Sequence, residues 1–160
     1  MRKLIIIGFI LSFSIVSYGQ NEAAMKETLE WIKSKVEAYP LCKEICYSAN
    51  VKYDLELNLL SITYRSNANN QITYIIPLKD VNSSEITYSN DYLFKIETFG
   101  PSITWDEINS EGVRKIKKVS SINLVFDGAQ ARANDLESGL KQAFNKAVRL
   151  SGGIIAKEDF

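Results

Sequence analysis

"VKYDLELNLLSITYRSNANNQITYIIP", residues 51–77, alternates apolar and polar side chains over most of its length, and a period of two predicts strands. Val51, Tyr53, Leu55, Leu57 and Leu59 fall on odd positions, whereas Leu60, Ile62 and Tyr64 fall on even ones. Successive side chains of a strand point to opposite faces, so this one-residue slip flips the buried face. It predicts a bulge or sharp bend at Leu59 and Leu60, through which one strand serves two sheets. Ser66-Asn67-Ala68-Asn69-Asn70 is turn chemistry, so Gln71 to Pro77 returns beside Leu60 to Tyr64 as a hairpin.

Strand patterns continue toward the C-terminus. Ile86 to Tyr88 and Leu93 to Phe99 flank a tight turn at Ser89-Asn90-Asp91, with Phe94, Ile96 and Thr98 on one face. Gly100-Pro101 breaks the run, and Ile103 to Trp105 reads as a short strand. "DEINSEG", residues 106–112, reads as a polar loop, Val113 to Val119 as a strand or irregular edge, and Ser121 to Phe126 as a strand with Ile122, Leu124 and Phe126 in phase. About seven strands result. The period then changes to that of a helix from Asp135 to Leu150, where Leu136, Leu140, Ala143, Phe144, Ala147 and Leu150 form one stripe. Asn134 is the expected N-cap, with Glu137 three residues on, and Gly152-Gly153 the stop. Gly139, at the stripe's edge, predicts a close approach by a strand.

Toward the N-terminus a second amphipathic helix is expected over Asn21 to Ala38. Met25, Leu29, Ile32 and Val36 share a face, and Pro40 stops the helix. Ahead of it, Arg2 and Lys3, the apolar run Leu4 to Val16 and the small residues of Ser17-Tyr18-Gly19 have the order of a secretory signal, cut before Gln20. The expected organisation is a signal peptide over 1–19 and one globular domain over 20–160, exported to a periplasm or secreted, with no membrane span after cleavage. Losing Arg2 and Lys3 from a chain of 19 basic and 19 acidic residues leaves a net charge of about −2, which favours neither nucleic acid nor anionic lipid.

The fold class expected is α+β: an N-terminal helix, about seven antiparallel strands in a barrel or sandwich, and a C-terminal amphipathic helix capping it. From Val51 to Leu150 the pattern resembles the pleckstrin-homology-like superfold. The resemblance rests on the bent first strand, on "IIPLKDVNSSEITY" (75–88) passing from strand through a short connection to strand, and on "SSINLVFD" (120–127) feeding the last helix. It implies two nearly orthogonal sheets with the final helix plugging one open end. Cystatin-like and NTF2-like arrangements, with a helix on a curved sheet, are the alternatives. Domains of this superfold that bind phosphoinositides use basic residues near the first hairpin, where this chain has Arg65 alone.

Chemistry is sparse in the sequence. The chain has no histidine, which removes Ser-His and Cys-His nucleophile systems, and it has neither a Gly-rich phosphate loop nor a nucleophile elbow. No enzyme activity, metal or cofactor is expected. Cys42 and Cys46 lack the second ligand pair of a zinc site and are one residue too far apart for a thioredoxin-type motif. An oxidising compartment favours a disulfide between them, two separately packed thiols being the alternative. Arg114, Lys115, Lys117 and Lys118, within "RKIKK", fit a lysine-protected edge strand or a contact for an anionic partner. Tyr64, Tyr74, Tyr88, Phe94 and Trp105 fit core packing or the lining of a pocket. The function expected is that of an exported binding or scaffolding domain engaging another envelope or secreted protein. The alternative is a carrier of a small apolar or lipid ligand between sheet and helix.

Overall fold

The computed structural model describes residues 21–40, 42–43, 45–46, 48–90 and 93–155. The signal-peptide reading therefore lies outside the described residues. Helix α1 spans residues 21–38 and buries Met25, Leu29, Ile32 and Val36, the four residues of the expected stripe. Its neighbours in the chain, β1 (Cys42–Lys43) and β2 (Ile45–Cys46), form a minimal antiparallel pair with Cys42 opposite Cys46.

Eight further strands form two antiparallel sheets. β3 (Ser48–Asp54), β4 (Leu59–Arg65), β5 (Gln71–Pro77), β8 (Ile103–Ile108) and β9 (Arg114–Val119) lie in that order in a five-stranded sheet. β10 (Ser121–Val125), β7 (Leu93–Glu97) and β6 (Thr87–Asn90) make a three-stranded one. The two sheets do not close into a barrel. Single 3-10 turns at Leu78–Asp80 and Ser83–Glu85 carry the chain from one sheet to the other.

The phase slip at Leu59 and Leu60 has a different cause from the bend expected. Residues 55–58 are a hairpin turn, and Asp54 pairs with Leu59 across it. Asp54 Oδ1 accepts the Leu57 N–H at 2.9 Å, and Asn58 takes a positive φ of 53°, which asparagine tolerates better than most side chains. Two strands thus stand where the alternation suggested one. The slip that does mark a change of sheet is at Ser120, the single residue between β9 and β10. Thr98 pins that corner: its N–H donates to the Ser120 carbonyl at 2.8 Å and its buried hydroxyl donates to the Gly100 carbonyl.

The expected C-terminal helix is present, and a short helix that was not expected precedes it. α2 (Gly128–Ala133) is capped by Asp127, whose Oδ1 accepts the Gln130 N–H at 3.0 Å, and α3 (Leu136–Leu150) follows. Asn134, expected as an N-cap, instead closes α2, its side-chain amide donating to the Gln130 carbonyl at 2.8 Å. Asp135, with φ 47°, makes the turn between the helices. α3 buries Leu136, Leu140, Phe144, Ala147 and Val148, and the Phe144 ring lies 5.6 Å from that of Phe94 on β7. Gly139 does meet a close neighbour, but it is Trp31 of α1 rather than a strand: a Cβ there would sit 2.8 Å from the indole.

One apolar core results, in which Leu60, Ile62, Ile76 and Ile103 of the large sheet join Phe94, Ile96, Ile122 and Leu124 of the small one and the stripes of α1 and α3. Phe144→Ala should cost about 3–5 kcal/mol in urea unfolding, since it removes a fully buried ring from this junction. A loss under about 1 kcal/mol would mean that α3 is not part of the cooperative core.

Candidate interaction edge

Each outer strand of the two sheets exposes a row of backbone N–H and C=O groups, and folds dispose of such rows in different ways. On β3, α1 takes up the central donor, with Glu37 Oε1 accepting the Val51 N–H at 2.7 Å, and a side-chain bond from the Tyr53 hydroxyl to Glu30 Oε1 at 2.8 Å ties helix to strand beside it. Donating that hydrogen bond favours the protonated phenol and raises the Tyr53 pKa above its ordinary value, with desolvation and the carboxylate's charge acting in the same direction. β10 runs on into a bridge between Phe126 and Pro40, and the Asp127 N–H donates to the Tyr39 carbonyl. β6 has four residues and an irregular register between Tyr88 and Asn90. β9 has six residues in unbroken register with β8, and every one from Arg114 to Lys118 is exposed.

The β8–β9 hairpin follows from its turn. Asn109 Oδ1 accepts the N–H groups of Glu111 and Val113 at 3.1 and 2.8 Å, and Gly112 supplies the positive φ of 80° that closes it. Residues 106–108, expected as loop, are therefore strand, and Trp105 stands opposite Lys117, Asp106 opposite Ile116 and Glu107 opposite Lys115. Alternation puts Arg114, Ile116 and Lys118 on the outward face of the sheet. Lys115 and Lys117 fall on the face that carries buried Ile103, here past the cover of the small sheet.

The four cations of "RKIKK" meet different fates. Arg114 forks onto Asp106, Nε to Oδ1 at 2.9 Å and Nη2 to Oδ2 at 2.7 Å, so its charge is neutralised within the hairpin. The guanidinium beside it holds the Asp106 carboxyl below the usual carboxylate range, and the carboxylate raises Arg114 in turn. Lys117 lies over the Trp105 ring with its ammonium 4.3 Å from the centroid. The Lys118 ammonium donates to two neutral oxygens, the Ser102 carbonyl at 3.0 Å and Thr104 Oγ1 at 2.7 Å. Lys115 makes no ion pair among the described residues. Three ammonium groups on one strand are therefore without an ion pair among the described residues.

The other candidates lie elsewhere. Cys42 and Cys46 face each other in backbone register, and their side chains lie outside what is described. Tyr64 and Phe94 are core residues. Burial pushes the Tyr64 phenol well above its ordinary value, with the backbone of Val125 at its hydroxyl, while Tyr74, Tyr88 and Trp105 are half-buried. Open grooves occur against α1, where Met25, Leu55 and Leu150 line about 460 Å³, and beside Phe99 and Ile154, with about 550 Å³; neither is lined by those strand aromatics, of which Tyr88 lines a smaller hollow of about 180 Å³ against α2. No group of three or more metal-ligating side chains and no helix long and apolar enough to cross a membrane occurs among the described residues. The sequence reading found the basic strand but missed Asp106, Trp105 and Thr104 as its supports. The available signal was alternation through "ITWDEI", masked by two adjacent acids that read as loop.

No protein-family model, curated protein or solved structure matches this chain.

Because the folded-state pKa of Asp106 is depressed, the Arg114 pair adds stability above the unfolded carboxyl's range near pH 4, and that contribution fades as pH falls through the lower folded value. Asp106→Asn should therefore narrow its stability gap to the parent as pH drops from about 6 to about 3. A gap unchanged across that interval would show that the pair does not act through charge.

Proposed function

We propose that this protein is an exported, non-enzymatic binding domain that engages another envelope or secreted protein through the free edge of β9. The observation that carries the reading is the contrast among the four edges. One is partly bonded to α1, one is bridged and one is short and irregular, whereas β9 combines an unbroken six-residue register with the exposure of every residue from Arg114 to Lys118. A strand added there would continue an existing ladder and order little of the domain itself, which keeps the entropic cost on the partner's side. Export is part of the same proposal and rests on the order of charged, apolar and small residues over 1–19. So does the finer description of the fold as a sandwich of pleckstrin-homology-like type, for which the last helix set against the sheets is the support.

A disulfide between Cys42 and Cys46 belongs to this picture. Directly opposed residues of an antiparallel pair have Cα atoms about 4.5–5.5 Å apart, within the span a disulfide bridges. The short loop it closes removes little entropy from the unfolded chain, so its role is to fix the path between α1 and β3. Mass spectrometry of exported protein, alkylated without reduction, should find neither thiol modified. Two alkylated cysteines would overturn the disulfide.

A photocrosslinking residue at Ile116, the exposed centre of β9, tests the edge in intact cells. It should capture a discrete partner that the same probe at exposed Leu57, on the β3–β4 turn, does not. Equal capture from both positions, or none from Ile116, would remove the edge from the reading.

A further inference from the structure

We infer that the segment β9 accepts is an extended strand rich in acidic residues, with apolar side chains where Ile116 and Val119 need company. This deepens the edge reading above and rests on it.

The charge left on β9 decides between occupants. A second copy is the first to consider, because two identical edges commonly pair. Antiparallel pairing of β9 with itself about Ile116 sets Arg114, already neutralised by Asp106, against Lys118, and sets Lys115 against Lys117 twice, once on each side of the centre, so the repulsion falls on those two lysine pairs. Like charges directly opposite destabilise a ladder. The lysines thus do what lysines on edges do, which is to bar the protein's own copies, and the same feature selects for the opposite sign.

What each position asks for follows from its fate within the hairpin. Arg114 is satisfied by Asp106 and needs no acid across from it. Lys117 and Lys118 are held by an aromatic face and by neutral oxygens, which orient the ammonium groups without cancelling them. Lys115 stands opposite Glu107 in register without pairing with it. Ile116, 60% exposed, is the only apolar side chain between the cations. An antiparallel partner read from its residue opposite Val119 to the one opposite Arg114 is then apolar, acidic, acidic, apolar, acidic, polar. Its acids on the outward face meet Lys118, and those on the other face meet Lys115 and Lys117. Because the exposed pairs are individually weak, the ladder supplies the geometry and the charges supply selection and steering.

The test uses the protein purified from expressing cells and a dye-labelled, end-capped peptide carrying Val-Glu-Glu-Val-Glu-Gln. Binding is followed by anisotropy and by Trp105 emission in a Trp31→Phe background, which leaves Trp105 as the one tryptophan. The acidic peptide should bind, weaken as salt rises and perturb Trp105, since a carboxylate draws Lys117 off the ring. The same peptide with Gln in place of Glu should bind about tenfold more weakly, and the Lys117→Glu, Lys118→Glu double variant should invert the preference toward a Lys-bearing peptide. Circular dichroism of that variant confirms that it folds, and its binding of the Lys peptide shows that the edge still pairs.

Equal binding of the Gln and Glu peptides would overturn the acidic partner and leave the edge reading intact. Equal binding by an acidic peptide N-methylated at alternate backbone nitrogens would show a charged patch without strand addition, and would also overturn the inference. If the acidic peptide fails to bind while Ile116 still crosslinks a partner in cells, the inference falls and the edge reading stands. If both fail, both fall.

Discussion

The structure turns on one residue, Ser120, where the chain leaves the five-stranded sheet and enters the three-stranded one without a loop. β9 and β10 are in effect one extended run from Arg114 to Val125 shared by two sheets. A run so shared must reverse which face it buries, and the burial does reverse: Val119 turns inward on an odd position, Ile122 and Leu124 on even ones. Holding the corner requires that its backbone groups be bonded, and Thr98, just past the end of β7, does this with both its amide and its hydroxyl, while Val81 bridges back to Thr98 from the other side. The apolar faces of both sheets can then close over one core. The helices fill what the two sheets leave open.

That corner also explains why β9 is bare. Its last residues lie at the junction of the two sheets, so Val119 sits beside Ile103 over the core, and the strand leads away from there along β8 toward the Asn109 turn. The pair at the corner, Ile103 and Val119, is the best covered, whereas Trp105 with Lys117 and Glu107 with Lys115 each set a half-buried residue against an exposed one. An apolar strand in that place would be an aggregation site. Cations on both faces prevent this at small energetic cost, because exposed charges retain their water. On the proposal made for β9, protection and recognition would be one feature seen from two partners, a like-charged copy and an unlike strand.

Much of this was legible in the sequence, because period-two alternation reports burial directly. The α1 stripe, the β4–β5 hairpin, the strand character of 121–125 and the apolar face of α3 all follow from it. The misreadings share a physical cause. A phase slip states that the buried face changes, but a short turn and a change of sheet produce the same slip, and Leu55 and Leu57 concealed the turn at 55–58 by keeping the alternation going through it. In the same way Asn134 had the chemistry of an N-cap, yet Asp127 lies seven residues earlier with the same chemistry, and local preference does not say which residue the tertiary structure will use. The supports of the basic strand were out of reach for another reason. Asp106 and Trp105 become partners of Arg114 and Lys117 only through the β8–β9 register, which a turn of five residues sets and composition does not.

The basic strand shows why register matters more than charge count. Of its four cations, Arg114 is the one best placed to bind an anion in general, being planar and capable of two parallel hydrogen bonds, and it is the one already taken. The lysines left over are point charges on flexible stems, poor at specifying an anion by geometry alone. Whatever specificity β9 has must therefore come from the backbone ladder, which fixes where each lysine sits, with Trp105 and Thr104 restricting two of them further. A free anion would find no such ladder, whereas an extended chain would meet three ammonium groups at defined positions on either side of one isoleucine.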